Sequence, residues 1–459
     1  MESATLAVME ALETEKEIGI ELHSDKKVHN AWAMYDWANS AYNLVITSTI
    51  FPAYYTAITT VKDNGGKIVN DNVSFFGTTI KNSTLFDYGL ATAYLIIAIL
   101  SPILSSIADY KGNKKAFMQL FCYIGSLACC GLYFFDASTL ELGIICSVLA
   151  AVGYCGSLVF YNAYLPEIAL PHERDSVSAK GFSYGYIGSV LLQIICFVFV
   201  MKPEWFGIKD GTFAPRLSFL LVGIWWMLFA QIPFLKLPKG QPAQKHTEYS
   251  LLANGFHELQ KVARQIKDMP VLKLYLGAFF LYSMGVQTVM LAAAIFGAKE
   301  LGLPTSTLIG TILIIQLVAI AGAYLMAKLS ERFGNLSVLL FVVFIWIAVC
   351  IGAYFTKTAT EFYVVAAIVG LVMGGIQSLS RSTYSKLMPV TKDTASFFSF
   401  YDVTEKIAIV IGMFSFGFIE QITGSMRNSI ISLIGFFAAG AIVLYFAILR
   451  SKAAKLANA

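Results

Sequence analysis

The chain has 459 residues, 57% hydrophobic and 14% charged, with a formal net charge of +4. Soluble domains carry about 25% charged residues, so the composition sets this chain apart from them, and so mild a positive balance gives no footprint for nucleic acid. The excess apolar residues are collected in stretches long enough for a bilayer core, which needs ~20 residues of helix.

These stretches are Trp32–Thr60, Leu85–Ala108, Phe117–Phe135, Leu140–Tyr164, Phe182–Met201, Leu217–Leu235, Val271–Ala298, Thr307–Ala327, Leu336–Phe355, Phe362–Leu387, Phe397–Gln421 and Ser429–Leu449. A lipid-embedded barrel shows alternation over ~10-residue segments; these runs are longer and have no period of two. Helices satisfy every backbone group within one segment. The expectation is an all-α integral membrane protein with twelve transmembrane helices in two six-helix pseudo-repeats. Residues 1–31 read as an amino-terminal tail, 32–235 as the first bundle, 236–270 as a linker, 271–449 as the second bundle and 450–459 as a second tail.

The first tail carries Glu10, Glu13, Glu15, Glu17 and Glu21 and lacks the apolar core of a signal peptide. It reads as a cytosolic extension, with the first span an uncleaved anchor. Span 1 holds Asp36, Asn39, Tyr42 and Asn43. Counted from Trp32, Asp36 sits about 6 Å and Asn43 about 16 Å along the helix. Asp36, Asn39 and Asn43 share a face by i, i+3, i+7 spacing. Asp36 then either receives an ammonium group or a proton, or braces the end of the helix; Asn39 and Asn43 are expected to line a cavity. Tyr54, Tyr55 and Trp205 lie near span ends, where an interfacial aromatic belt is expected.

After span 2 the chain reads Ser105-Ser-Ile-Ala-Asp109-Tyr-Lys-Gly112-Asn113-Lys114-Lys115. The matching loop after span 8 reads Ser330-Glu331-Arg-Phe-Gly334-Asn335. Asp175 after span 4 has a counterpart in Asp393 after span 10. Two matches at nearly one offset, in corresponding loops, point to parallel repeats. Within the linker, Leu251, Leu252, Phe256, Leu259, Val262 and Ile266 follow helical spacing. They predict an amphipathic helix that lies on the membrane face or braces the two halves.

Of the 33 Lys and Arg, 22 fall in the tails, the even-numbered loops and the span ends beside them, nine in the opposite loops, and Arg381 and Lys406 remain, both inside spans. Basic residues mark the cytoplasmic side, so both termini are expected in the cytoplasm, with a cytoplasmic (inner) membrane as the location. Ionisable residues inside spans default to functional sites. Matched depth predicts that Arg381 of span 10 pairs with Asp402 or Glu405 of span 11; Asp402 and Lys406 are an i, i+4 pair. Tyr282 and Gln287 of span 7 and Gln377 of span 10 are lesser candidates. Gly153, Gly156, Gly181, Gly185, Gly188, Gly370, Gly374 and Gly375 stand at small-residue spacings that let helices approach closely.

The Asp109 loop resembles the signature of the major facilitator superfamily, Gly-x-x-x-Asp-Arg-x-Gly-Arg-Arg. Asp109, Gly112, Lys114 and Lys115 fit it, while Ser105 replaces the first Gly and Tyr110 the Arg. Three blocks carry a narrower likeness: Trp32-Ala-Met-Tyr-Asp36-Trp-Ala-Asn39-Ser-Ala-Tyr42, Gln377-Ser-Leu-Ser-Arg381-Ser and Phe397-Phe-Ser-Phe-Tyr-Asp402-Val-Thr-Glu405-Lys406. They resemble the "unknown major facilitator" branch, related to fungal autophagy-linked vacuolar effluxers of amino acids. The resemblance implies a secondary transporter working by alternating access, with Asp109, Gly112, Lys114, Lys115, Glu331 and Gly334 in gating loops.

The expected activity is transport of a small polar solute. An amino acid or related metabolite leads, possible in the efflux direction and with proton coupling through Asp36, Asp402 or Glu405; a sugar or organic acid is the other substrate class. A non-transporting receptor or scaffold on a carrier fold is the alternative, and a collapsed apolar seam between halves would mark it. No enzyme, cofactor or metal is expected: the chain has no G-x-x-x-x-G-K-[ST] loop, and its seven Cys all fall in spans without ligand spacing. Expected partners are the solute, H+ and the bilayer, with the chain acting as a monomer.

Overall fold

The computed structural model describes residues 24–63, 68–208, 210–240 and 251–457; the acidic tail and the loop around Gln244 lie outside them. Eleven helices among the described residues are long and apolar enough to cross a membrane. In the first six-span half these are α3 (Asn82–Lys111), α4 (Lys114–Gly131), α5 (Leu140–Ala163, followed by the short α6, Leu165–Ile168), α7 (Arg174–Met201) and α8 (Phe213–Phe229, continued by α9, Gln231–Lys236). The second half contains α11 (Pro270–Lys299), α12 (Thr305–Phe333), α13 (Asn335–Phe355), α14 (Ala359–Leu387), α15 (Thr394–Thr423) and α16 (Met426–Ala457).

The twelfth span is the first in the chain, and it is not one helix. The helix α1 (Lys26–Ala41) runs into a π-turn (Tyr42–Thr47), stops at Ser48–Thr49, and resumes as α2 (Ile50–Thr59). It starts six residues earlier than expected, so Asp36 lies about 15 Å from its beginning. The π-turn also interrupts the continuous face expected for Asp36, Asn39 and Asn43. The break occurs at a β-branched and hydroxylated run whose side chains take up the released carbonyls. Ser48 Oγ donates to Asn43 O at 2.9 Å and Thr49 Oγ1 to Leu44 O at 2.7 Å. Such hydroxyls make a broken helix tolerable in lipid.

The chain is not wholly helical. The loop after α2 folds into two small antiparallel pairs, β1 (Val61–Lys62) with β2 (Ile68–Asn70), and β3 (Asn72–Phe75) with β4 (Thr78–Lys81). Phe76 and Gly77, both at positive φ, form the two-residue turn of the second pair. Tyr54 and Tyr55 are buried rather than interfacial: their hydroxyls donate to Phe135 O and Asn82 O. Trp205 is 70% exposed.

The linker forms α10 (Leu251–Lys267), which packs on α3 of the first half and on α11 and α15 of the second. Val262 and Ile266 are buried, and Lys261 Nζ reaches Asp393 Oδ2 at 2.7 Å. Large apolar residues such as Leu127, Leu228, Phe344, Phe414 and Phe446 stay exposed on the outer helix faces, where lipid replaces water as their solvent. The halves meet along α7 against α12 and α14, and along α15 against α3 and α5. Everything that follows lies on that seam.

Candidate functional site

Arg381, on α14 of the second half, places its guanidinium inside the first half. Its Nε donates to Ser178 Oγ at 3.0 Å and Nη2 to Ser178 O at 2.9 Å. Nη1 lies 3.2 Å from both Asp36 Oδ2 and Asn162 Oδ1. Tyr161 Oη donates to the same Asp36 oxygen at 2.8 Å. The cation is sandwiched between the rings of Trp32, at 4.7 Å, and Phe182, at 4.2 Å. Both members of the Arg381–Asp36 pair are about 95% buried or more, and such a pair is kept only when its hydrogen bonds are satisfied. Gly181 makes the site possible, since a Cβ there would fall 2.7 Å from Asp36 Oδ2 and 2.8 Å from Arg381 Nη2.

This pairing corrects the expectation that Arg381 meets Asp402 or Glu405. Residues of equal depth on α14 and α15 belong to one half; Arg381 points the other way, across the seam. Asp402 and Glu405 serve Lys406 instead. Trp32, Tyr161, Asn162, Ser178 and Phe182 carry the rest of the cluster. Within this cluster only Asp36 and Arg381 stood out in the sequence, as ionisable residues in apolar spans.

Below this cluster, toward the face rich in Lys and Arg, further polar contacts close the seam. Arg174 Nη1 donates to Ser385 O at 2.7 Å. Asp175 accepts from Ser330 Oγ, Asn335 Nδ2 and Lys386 Nζ at 2.8, 2.7 and 2.5 Å. Asp109 accepts from the backbone N–H groups of Ala395 and Ser396 and from Ser396 Oγ, at 3.2, 2.8 and 2.8 Å. It thereby caps the N-terminus of α15, where an anion is favoured. Gly112 takes φ +62° at the end of α3, a left-handed conformation that suits glycine. This turns the chain so that Lys114 meets Glu167 and Thr394. Lys115 Nζ donates to Leu237 O.

The repeat is not symmetric here. Glu331, the counterpart of Asp109, is exposed and faces away from the seam; Ser330 and Asn335 beside it make the contacts to Asp175. Gly334 begins the turn into α13 at φ +80°. Asp109→Ala is expected to weaken closure of this face by about 1–2 kcal/mol, the usual value of a lost helix cap. Faster maleimide labelling of a cysteine placed at the buried Ser385 measures it; unchanged labelling would leave Asp109 without a gating role.

Above Arg381 the halves separate around a cavity of about 180 Å³. Asp36, Tyr42, Asn43, Gln287, Gln377, Arg381, Glu405 and Lys406 stand on its wall. Asn39 does not: it is fully buried, and its Nδ2 has no hydrogen-bond partner among the described residues. Asp402 is also buried behind the wall rather than on it. Lys406 Nζ lies 3.2 Å from Asp402 Oδ1 and 3.3 Å from Glu405 Oε2. Gln287 Nε2 donates to Glu405 Oε1 at 3.1 Å, and Tyr186 Oη donates to Gln377 Oε1 at 2.6 Å. The arrangement can bind a solute that offers both charge and hydrogen-bonding groups. A seam lined this way is not the collapsed apolar interface of a scaffold. No group of His, Cys, Asp and Glu among the described residues is placed to hold a metal.

Residues 24–457 match the family model described as "Vacuole effluxer Atg22 like". The MFS-type transporter YxiO of Bacillus subtilis (strain 168) is 33% identical over 421 residues, covering 92% of this chain and 94% of that protein. Autophagy-related protein 22-2 of Aspergillus oryzae is 27% identical over 463 residues, covering 81% and 74%. Two solved structures share the fold. The E. coli fucose:proton symporter FucP has a TM-score of 0.65 at 14% identity, covering 92% of this chain and 97% of its own. The proton:xylose symporter XylE has a TM-score of 0.69 at 11% identity, covering 91% and 94%. A helical membrane fold divided by a polar seam, matched over nearly its whole length by transporters, places this chain in the Atg22-like family of major facilitator transporters, and it is a membrane carrier and not an enzyme.

Proposed function

We propose that the chain is a secondary carrier that moves a small polar solute bearing an amino group, an amino acid being the leading class, by alternating access. The observation that supports this reading is the wall of the central cavity. Glu405 and Lys406 present opposite charges 3.3 Å apart, with the amides of Asn43, Gln287 and Gln377 around them. An amino acid carries the complementary pair, an ammonium and a carboxylate. Transporter sites lie between repeats near the midplane, and this cavity is lined from both halves. The family description, a vacuole effluxer, supports efflux as the direction, and the charge bias supports both termini in the cytoplasm. Likeness to a Bacillus protein over 92% of the chain supports a cytoplasmic membrane.

The cycle follows from the seam. In the described state the polar contacts from Arg174–Ser385 up to Arg381–Asp36 hold the basic face shut. Passage of the solute through that face requires all of them to part, because the partners of Arg381 named above belong to the other half. A driving ion gradient, H+ included, supplies the energy. Solute-induced thermal stabilisation tests the substrate class, followed by counterflow of the stabilising compound in proteoliposomes. Amino acids are expected to raise the Tm and to exchange, and Glu405→Gln to abolish both effects. Stabilisation by sugars alone would favour the second reading, for which the amide-rich wall and the sugar:proton symporters of the same fold speak. No exchange of any solute would favour a scaffold.

A further inference from the structure

Asp402, Glu405 and Lys406 place two carboxylates against one ammonium. Lys406 Nζ is nearly equidistant from them, at 3.2 and 3.3 Å. Asp402 is 4% exposed and Lys406 6% exposed. Asp402 Oδ2 is buried and has no hydrogen-bond partner among the described residues.

Among the described residues the surroundings supply no second cation. Helices α3, α5, α10, α11 and α16 pack against α15. Facing the three residues, α3 brings Tyr94, α5 brings Cys155 and Tyr154, and α11 brings Gln287 and Tyr282. Helix α16 carries no ionisable residue between Arg427 and Tyr445. The basic residue that α10 gives to this seam, Lys261, lies at Asp393, nine residues or about 13 Å along the helix from Asp402. The positive charge of Arg381 is matched by Asp36. With every group ionised, the cluster holds one negative charge too many, and an uncompensated buried carboxylate is costly.

We infer that these three residues form one exchange site, which holds either a proton on Asp402 or the ammonium group of a solute on Glu405, so that the carrier swaps amine for proton. The inference rests on the carrier reading above and adds the coupling ion and its sense. The two carboxylates divide the work by access. Glu405 lines the cavity and can meet an ammonium group; Asp402 lies behind the wall, where only a proton fits. Lys406 pairs with whichever carboxylate is ionised. With a proton on Asp402, Lys406 belongs to Glu405. As an ammonium group docks on Glu405, Lys406 turns to Asp402, whose O–H bond breaks and whose proton passes to cavity water. For a solute whose only charge is its ammonium group, both occupants together leave a net positive charge, and neither leaves a net negative one. Single occupancy is favoured, and that is antiport. Asp36, held by Arg381 and Tyr161, takes no part in the exchange.

The test uses the purified full chain in nanodiscs, weakly buffered near pH 7 with an indicator dye. Isopentylamine and n-butylamine are added, each adjusted beforehand to the same pH, with butyrate and glucose as comparisons. Binding of either amine is expected to release roughly one proton per molecule, and by linkage amine affinity rises with pH. Asp402→Asn should remove the proton release and flatten that pH dependence. Glu405→Gln should lower amine affinity roughly tenfold or more, the usual loss when a charged hydrogen-bond partner goes. Should Asp402→Asn fail to fold, the proton count on the unmodified chain decides alone. Amine binding with no proton release, or with proton uptake, overturns the exchange site. So does binding of butyrate or glucose but neither amine, an outcome that leaves the carrier reading standing; failure of every solute to bind or cross counts against both.

Discussion

Arg381→Ala is expected to abolish transport and to leave the basic face open. The substitution removes the cation from a pair buried between halves, leaving Asp36 and Asn162 facing an apolar gap. Breaking a buried pair by removing one partner costs about 3–5 kcal/mol. The loss falls on the closed state, because opening lets water reach Asp36. A shift of that size moves the ratio of closed to open carriers by a factor on the order of 10² or more. Maleimide labelling of a cysteine at Ser385 should therefore become fast while transport disappears. Restoring the pair with the charges exchanged, Arg381→Asp with Asp36→Arg, should return part of the protection. Full transport and unchanged labelling in Arg381→Ala would show that the pair has no part in gating.

The second large effect is expected at Gly374. Helices α12 and α14 touch through backbone: a Cβ on Gly374 would lie 2.0 Å from the Ala319 carbonyl oxygen, and one on Gly322 2.1 Å from the Leu371 oxygen. Neither obstacle is a side chain that can turn aside, so Gly374→Ala must separate the two helices. Overpacking of this kind costs about 1–3 kcal/mol. The damage does not stop within the second half, since α12 also packs on α7 of the first and that contact must slide during the cycle. A clear fall in Tm together with slower transport is the expected result. Gly435→Ala, with nothing within 4 Å of its Cβ, serves as the neutral comparison. Equal Tm values for the two variants would show that the close approach carries no structural weight.

The membrane fold was legible in the sequence because it rests on one dominant force. A segment of ~20 apolar residues has few alternatives to crossing the bilayer as a helix, and eleven of the twelve spans do so as single long helices. The Asp109–Gly112 turn was legible for a similar reason. Glycine at a helix end is a local rule, whereas the helix that Asp109 caps, α15, lies 286 residues on and is set by the packing of the halves. The brace formed by α10 likewise follows from a single apolar face.

What the tertiary structure decided is the pairing of charges. Sequence depth along α14 and α15 treats each helix as a rod of unknown rotation, so Arg381, Asp402 and Glu405 looked like natural partners. Rotation about the helix axis sends Arg381 into the first half, to Asp36, 345 residues away, and leaves one lysine between two carboxylates on α15. Asn39 lies on the same regular helix as Asp36 and Ser40, which line the cavity with Asn43, yet it falls off the cavity's edge, and spacing alone does not show where a helix face ends. Glycine 181 sat in the sequence as one small residue among several. Its purpose became visible only when the carboxylate of Asp36 and the guanidinium of Arg381 were found within 3 Å of where its side chain would be. Local chemistry and apolar length determined where the chain crosses the membrane; long-range packing, which alone sets helix rotation, determined which buried charges meet.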